Sequence, residues 1–360
     1  MNLKTNWWAR VKFIMRFLLE WKRKTYPIAK IGQVLILVSI GQWSIFSPEI
    51  ALSFFPDSWL SQISIDLSNK SIVHDIITVI LIFFGLALII FDIRNVQRKA
   101  RTTAKVLVSG MSGTSTRFPN ELLSWAEQNN SRELIELGVL DDGFNSIDSQ
   151  VSKYNSEINS NMIKRFILHE DCNKLYLGGL ARVPFLVAYG ACFRAISAEV
   201  VYFDRFHREG DWKLLNDESE SISFSEYDLD TLKPDSKGNI GLALGFSTAI
   251  LKSQLPDFIS GHTLILSPNI QLGRNLIKNQ ENLHLISGEV QNIIDRLSSL
   301  EGCEKVHLFL SVQSTLALDI GKRYQEGIHK NWIIHNYNGS LSEYDWAIEL
   351  SKKGISKFKK

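Results

Sequence analysis

Two long apolar runs dominate the start of the chain, IGQVLILVSIGQWSIFSPEIALSFF at 31–55 and IVHDIITVILIFFGLALIIFDI at 72–93. As a helix the second reaches roughly 33 Å, enough to cross a hydrocarbon core of about 30 Å. The pattern predicts two transmembrane helices, the first interrupted by Pro48 and Glu49. Ahead of them, Trp7, Val11, Ile14, Leu18 and Trp21 recur at spacings of four and three, with Lys and Arg on the other faces. That spacing describes a basic amphipathic helix over 1–30, lying on an anionic leaflet or packed on the rest of the protein. From residue 106 onward short apolar strands alternate with helical segments, which predicts an α/β fold with mostly parallel sheet.

The second part repeats itself. VLVSGMSG at Val106–Gly113 lies over LALGFST at Leu242–Thr248, and KLYLGGLARVPFLVAYG at Lys174–Gly190 lies over KVHLFLSVQSTLALDIG at Lys305–Gly321, an offset of 131. Each copy reads as a strand, a small-residue turn and a helix ending on the same glycine. A further β-rich run follows in each, Val200–Phe203 and Trp332–Ile334, and each half closes on Asp-Trp, at Asp211-Trp212 and Asp345-Trp346. The halves run over about 106–212 and 239–348 of a 106–360 domain, with the polar stretch 213–238 joining them.

Charge orients the chain and limits its partners. Residues 1–30 sum to +7, 31–93 to −4 and 94–105, a basic juxtamembrane linker, to +5, so 106–360 carries −6 of the overall +2. Basic flanks on both sides of the helix pair place both termini in the cytoplasm and the short loop outside, in a two-span membrane protein. A cleavable signal peptide is not expected, because about thirty residues precede the first apolar run. The acidic domain does not suit long nucleic acid, which needs a basic stripe, but a local pocket for a small anion remains open. The three cysteines, Cys172, Cys192 and Cys303, are too scattered for a disulfide framework or a paired-cysteine zinc site.

Ligands of doubly wound sheets bind at the carboxyl ends of the strands, which draws attention to four loops. In the first, Gly110 and Ser112 belong to an SGMSG turn that could cradle phosphate or be a plain tight turn. In the second, Gly178 and Gly179 precede Arg182 and Pro184; glycine admits close approach and arginine binds phosphate bidentately, unless the turn only packs and Arg182 is solvated. The third holds Ser247. The fourth presents Gln313 and Ser314, whose amide and hydroxyl suit base edges, phosphate or simple helix capping. His169-Glu170-Asp171-Cys172 reads as a solvated turn, since neighbours in a row seldom converge on one metal. No GxSxG, HExxH or GxxxxGK[ST] is present, and nothing announces an enzyme.

YLGGLARVP, then YFDRF before Asp211-Trp212, then VHLFLSVQSTLALDIGKRY before IIHNY resemble the SAVED domain of bacterial CBASS anti-phage systems over roughly 104–348. With the N-terminal helix pair the architecture is similar to the family's two-transmembrane effectors. The resemblance implies two fused CARF-like, Rossmann-like halves and no catalytic residues, metal or cofactor. It implies a cyclic di- or trinucleotide ligand made by a partner CD-NTase cyclase, homo-oligomerisation on binding, and disruption of the inner membrane in abortive infection. The ligand is then expected between the halves, against Gly110, Ser112, Gly178, Gly179, Arg182, Pro184, Ser247, Gln313 and Ser314. A membrane-anchored Rossmann-like nucleotide hydrolase or glycohydrolase is the alternative, and a constitutive scaffold a third reading.

Overall fold

The computed structural model describes residues 27–43, 72–111, 118–132, 134–138, 146–160, 163, 172–206, 212–218, 221–229, 231–325 and 327–359. The amphipathic stripe at Trp7–Trp21, residues 44–71, Ser112, His169–Asp171 and Asp211 lie outside them. The chain divides into two compact units, 1–101 with 123–131, and 102–122 with 132–360.

In the first unit, α1 (Pro27–Trp43) and α2 (Ile72–Arg101) form an antiparallel hairpin. Gly32 and Gly85 face each other across it, each where a Cβ would collide with the other's carbonyl oxygen; backbones approach this closely only where side chains are absent. The Ala29 N–H, in the unpaired first turn of α1, donates to the buried Asp92 carboxylate at 2.8 Å. Around α2, Ile76, Ile80, Phe83, Phe84 and Phe91 are exposed. One described helix, Ile76–Arg98 with mean hydropathy 2.9, is long and apolar enough to cross a membrane. At 17 residues, α1 extends about 26 Å and falls short of the hydrocarbon core. The 94–105 stretch is not a separate linker: α2 continues helical to Arg101 and the first strand begins at Thr103. A short helix, α3 (Trp125–Asn130), completes the unit, its N-terminus closed by a capping box between Ser124 and Glu127.

The second unit holds two sheets. The first has the order β2-β1-β3-β4-β5, from β1 (Thr103–Ser109), β2 (Leu134–Leu137), β3 (Lys174–Leu180), β4 (Glu199–Arg205) and β5 (Trp212–Leu214). The second has the order β11-β10-β9-β8-β6-β7, from β6 (Asn239–Gly245), β7 (Thr263–Leu266), β8 (Lys305–Ser311), β9 (Asn331–Asn338), β10 (Glu343–Ser351) and β11 (Gly354–Lys357). In each, four strands are parallel and the fifth returns antiparallel, β5 on β4 and β10 on β9. The two Rossmann-like halves therefore share one topology down to the Asp-Trp strand, with β11 as an addition. Helices α4 (Ile147–Ile158) and α5 (Val183–Cys192) belong to the first half; the four-residue α6 (Asp257–Ser260), α7 (Gln280–Ser298) and α8 (Ser314–Lys322) belong to the second.

The equivalent helices α5 and α8 cross between the sheets, which explains their composition: Pro184–Ala191 and Thr315–Gly321 are buried throughout. Gly190 lies against the Leu318 carbonyl and Gly321 against the Val187 carbonyl. Because 187 and 318 differ by the repeat offset, this contact obeys an internal two-fold, each half presenting the same patch to the other. A swap follows, in which α5 packs on β9 and β10 while α8 packs on β3 and β4. Buried polar groups secure it. Asp319 of α8 accepts from Tyr202 of β4 at 2.7 Å, from Ser287 and from His284 of α7, with Arg323 at 3.5 Å. Burial raises the Asp319 pKa, but the bonds from His284, Ser287 and Tyr202 outweigh it and hold the group at about 2.

Candidate functional site

The carboxyl ends of the parallel strands meet where α5 and α8 begin. On one side, β1 ends at Ser109 and the Gly110 N–H donates to the Leu180 carbonyl at 2.9 Å; on the other, the Phe246 N–H donates to the Ser311 carbonyl at 2.8 Å. Leu180 and Ser311 are again one repeat apart, as are Arg182 and Gln313, the residues that cap α5 and α8. Neither side chain makes a capping bond to its own helix; each reaches across to the fourth strand of the opposite half.

Arg182 points its guanidinium at the Asn336 Oδ1 on β9, 3.4 Å away. The Asn336 amide is held in that orientation by donating to Asp345 at 3.1 Å, which also accepts from Asn338 at 3.0 Å. Beside this pair a cleft of about 430 Å³ opens between the halves, lined by Met111, Ala181, Arg182 and Val183 from the first and by Leu310, Asn336 and Tyr337 from the second. Its volume falls in the range of small-molecule sites. Met111 and Tyr337 are each 39% exposed, and Tyr337 is steadied by Gln254, which donates to its hydroxyl at 3.0 Å. A guanidinium for phosphate, an aromatic face for a base and an amide for a base edge lie in one cleft.

The equivalent mouth on the other side is filled. Gln313 donates to Asp204 of β4 at 3.1 Å and to the Ile277 carbonyl at 2.9 Å, and its own carbonyl accepts from the Ile277 N–H at 3.0 Å. The segment between β7 and α7 brings Ile277 there, tied down by the Gly273 N–H on the Phe246 carbonyl at 3.1 Å and by Asn275 on the Arg205 carbonyl at 3.1 Å. Asn275 adopts φ 59, a left-handed conformation that asparagine tolerates. Asp204 accepts further from the Thr315 hydroxyl at 3.0 Å and the Arg205 N–H at 2.8 Å. Burial nevertheless pushes its pKa up to about 6, against the opposing pull of those bonds.

The expected site residues thus divide. Arg182 lines the open cleft. Gly110 is buried in the β1 turn beside it, and Ser112 lies outside the described residues. Gly178 and Gly179 are not in a turn: they pair with Leu107 and Val108 inside the sheet, and a Cβ there would strike Phe203 or Val108. Their small size serves packing, and the turn falls at Ala181-Arg182. Pro184 is buried in the first turn of α5, where its missing N–H costs nothing. Ser247 donates its N–H to Ser311 at 2.8 Å, next to a Thr248–Ser311 hydroxyl contact of 2.8 Å. Gln313 sits under the filled mouth with Ser314 as the first residue of α8. Asn336 and Tyr337 escaped sequence reasoning; their signal is position, since the end of the fourth strand is as much a strand-end loop as those after the first and third.

Comparison with solved structures finds the Acinetobacter baumannii Cap4 SAVED/CARF-domain containing receptor with the cyclic trinucleotide 2'3'3'-cAAA, at 17% identity and TM-score 0.49, covering 77% of this chain and 60% of that one. The same receptor with 3'3'3'-cAAA gives 17% and 0.48, covering 76% and 58%. The Moraxella osloensis Cap4 SAVED/CARF-domain containing receptor gives 15% and 0.41, covering 87% and 65%. The chain thus spans less than two thirds of these receptors' length. No curated protein matches it. The family model described as SMODS-associated and fused to various effectors sensor domain, SAVED, matches residues 160–350, from just ahead of β3 through β10, and since this is more than half of the chain, the chain belongs to the SAVED family.

Proposed function

We propose that the protein is a membrane effector of CBASS defence whose SAVED domain senses a cyclic oligonucleotide and whose helix hairpin acts on the inner membrane. The observation that carries the sensor reading is the cleft between the halves with Arg182 and Asn336 on opposite walls. A cyclic ligand that spans the cleft presents a phosphate to Arg182 and a base to Tyr337, and so binds both halves at once. The Acinetobacter baumannii Cap4 receptor is solved with cyclic trinucleotides, which makes that ring size the first to test; a cyclic dinucleotide is the second.

The membrane reading rests on α2, which is apolar on all sides instead of along one stripe. In this reading the apolar run at 31–55 is the other span, both termini are cytoplasmic, and ligand-driven association of the cytosolic domains clusters the hairpins until the bilayer fails. The protein turns nothing over, and partner contacts are with lipid, ligand and further copies of itself.

Thermal unfolding of the full chain with cyclic di- and trinucleotides, followed by analysis of the recovered ligand, tests the reading. A stabilising trinucleotide recovered intact supports it; a hydrolysed ligand replaces it with the nucleotide hydrolase. Arg182→Ala removes a charge-assisted contact worth roughly 1.5–3 kcal/mol, so affinity falls about tenfold to a hundredfold. Unchanged affinity in the folded variant removes Arg182 from the site.

A further inference from the structure

The pole of the SAVED unit opposite the strand carboxyl ends carries a second feature, for which the sensor function has no use. The parallel strands begin there, and α5 and α8, each running back against the strand before it, end there at Cys192 and Lys322. The β10–β11 turn at Ser351–Gly354 reaches the same pole, because β10 runs antiparallel to β9. Two adjoining clefts open at this end. One of about 520 Å³ is lined by Arg194, Lys322, Arg323 and the 76% exposed Ile328, and one of about 240 Å³ by Arg194 again with Lys352 and Lys353. Among the described residues no carboxylate lines either.

Helix ends account for only part of this charge. Arg194 donates to the Ala191 carbonyl at 3.3 Å, closing α5, and Arg323 is engaged by Asp319 and by the His284 carbonyl. Lys352 and Lys353 belong to a hairpin tip and complete no helix, yet they extend the same basic surface, on a domain that is otherwise net acidic. The chain also enters the unit here: the Thr102 carbonyl accepts from the Asn173 N–H at 3.0 Å, just ahead of β3.

We infer that this basic pole docks on anionic phospholipid headgroups of the inner leaflet, with Arg194, Lys322, Lys352 and Lys353 facing phosphate and Ile328 entering the headgroup layer. Basic side chains around an exposed apolar one are the composition that binds such a surface. A lipid is favoured over a free anion because the two clefts adjoin, sharing Arg194, and because the stretch that feeds this pole, Arg94 to Lys105, is itself basic. The inference rests on the membrane reading of α2.

The test uses the full chain in lipid nanodiscs, of phosphatidylcholine alone or with phosphatidylglycerol, read by amide hydrogen exchange. Segments 327–330 and 351–354 should exchange more slowly in the anionic discs, and the difference should vanish at about 1 M salt, where the screening length is near 3 Å. Each basic side chain at an anionic surface strengthens docking about fivefold, so Arg194→Gln/Lys352→Gln/Lys353→Gln should weaken it about a hundredfold. Ile328→Ser should weaken it without changing the salt dependence. Identical exchange in both lipids, or protection by inorganic phosphate in phosphatidylcholine discs, overturns the proposal. Carbonate extraction of native membranes separates the two readings. A chain that resists carbonate but shows no lipid-dependent protection loses only the docking surface, and a chain that carbonate releases loses both.

Discussion

Asp204 and His307 are buried groups whose pKa values move in opposite directions. The His307 ring sits between His335 at 2.9 Å and the Asn239 side chain at 3.2 Å, and burial depresses its pKa to about 4. A folded value below the usual 6.5 means that His307 stabilises the neutral-pH protein, and that this contribution drains away as pH falls from about 6.5 to 4. Asp204, raised to about 6, does the reverse: its buried charge costs stability above pH 6, and protonation relieves the cost as pH falls toward 3.8. Each amounts to about 3 kcal/mol, so in the shared window they nearly cancel. Denaturant titrations between pH 6.5 and 4 should show the difference. Relative to wild type, Asp204→Asn grows less stable on acidification and His307→Gln more stable. Parallel pH profiles for all three proteins would refute the assignment. Asp319, held at about 2, loses its contribution only below this window. The place of Arg182 at a strand-end cleft is legible in the sequence from its position directly after a strand, although the glycines before it belong to that strand and serve packing. The fate of Gln313 is not, since it depends on a segment 36 residues upstream folding over it.

At the scale of elements, the crossing of α5 and α8 depends on two glycines that the repeat places in register. Gly190→Val or Gly321→Val drives a side chain into a backbone carbonyl, an overpacking that costs about 3 kcal/mol at either site. Because one crossing serves both positions, the double variant should lose much less than twice that in chemical denaturation. Full additivity would mean that the two contacts are independent. The repeat and the alternation of strand and helix were legible, because each is local pattern; the glycines expected to end the helices lie just inside them, and the antiparallel strand that carries Trp212 or Trp346 in each half was not anticipated. The exchange of α5 and α8 between sheets was not. It is a tertiary choice, visible beforehand only as helices too apolar to have a solvent face.

For the whole molecule, the two-span arrangement is tested by reporters fused at either terminus, expected in the cytoplasm, and near Ser61, expected outside; an external carboxyl terminus would refute it. The union of the basic stretch from Arg94 and the apolar run before it into a single helix ending at Arg101 was not legible, since basic residues are good helix formers and mark no boundary.

The segment that carries Ile277 into one of the two mouths has a consequence for how the protein counts its signal. On the proposed sensor reading, a domain made of two like halves would offer places for two ligands, but with one mouth occupied by the chain itself each polypeptide is expected to bind one. Isothermal titration should return one ligand per chain with a simple hyperbolic isotherm when the chains are dilute. On the same proposed reading, any steepness in the response would arise between polypeptides and should depend on how many of them share a membrane.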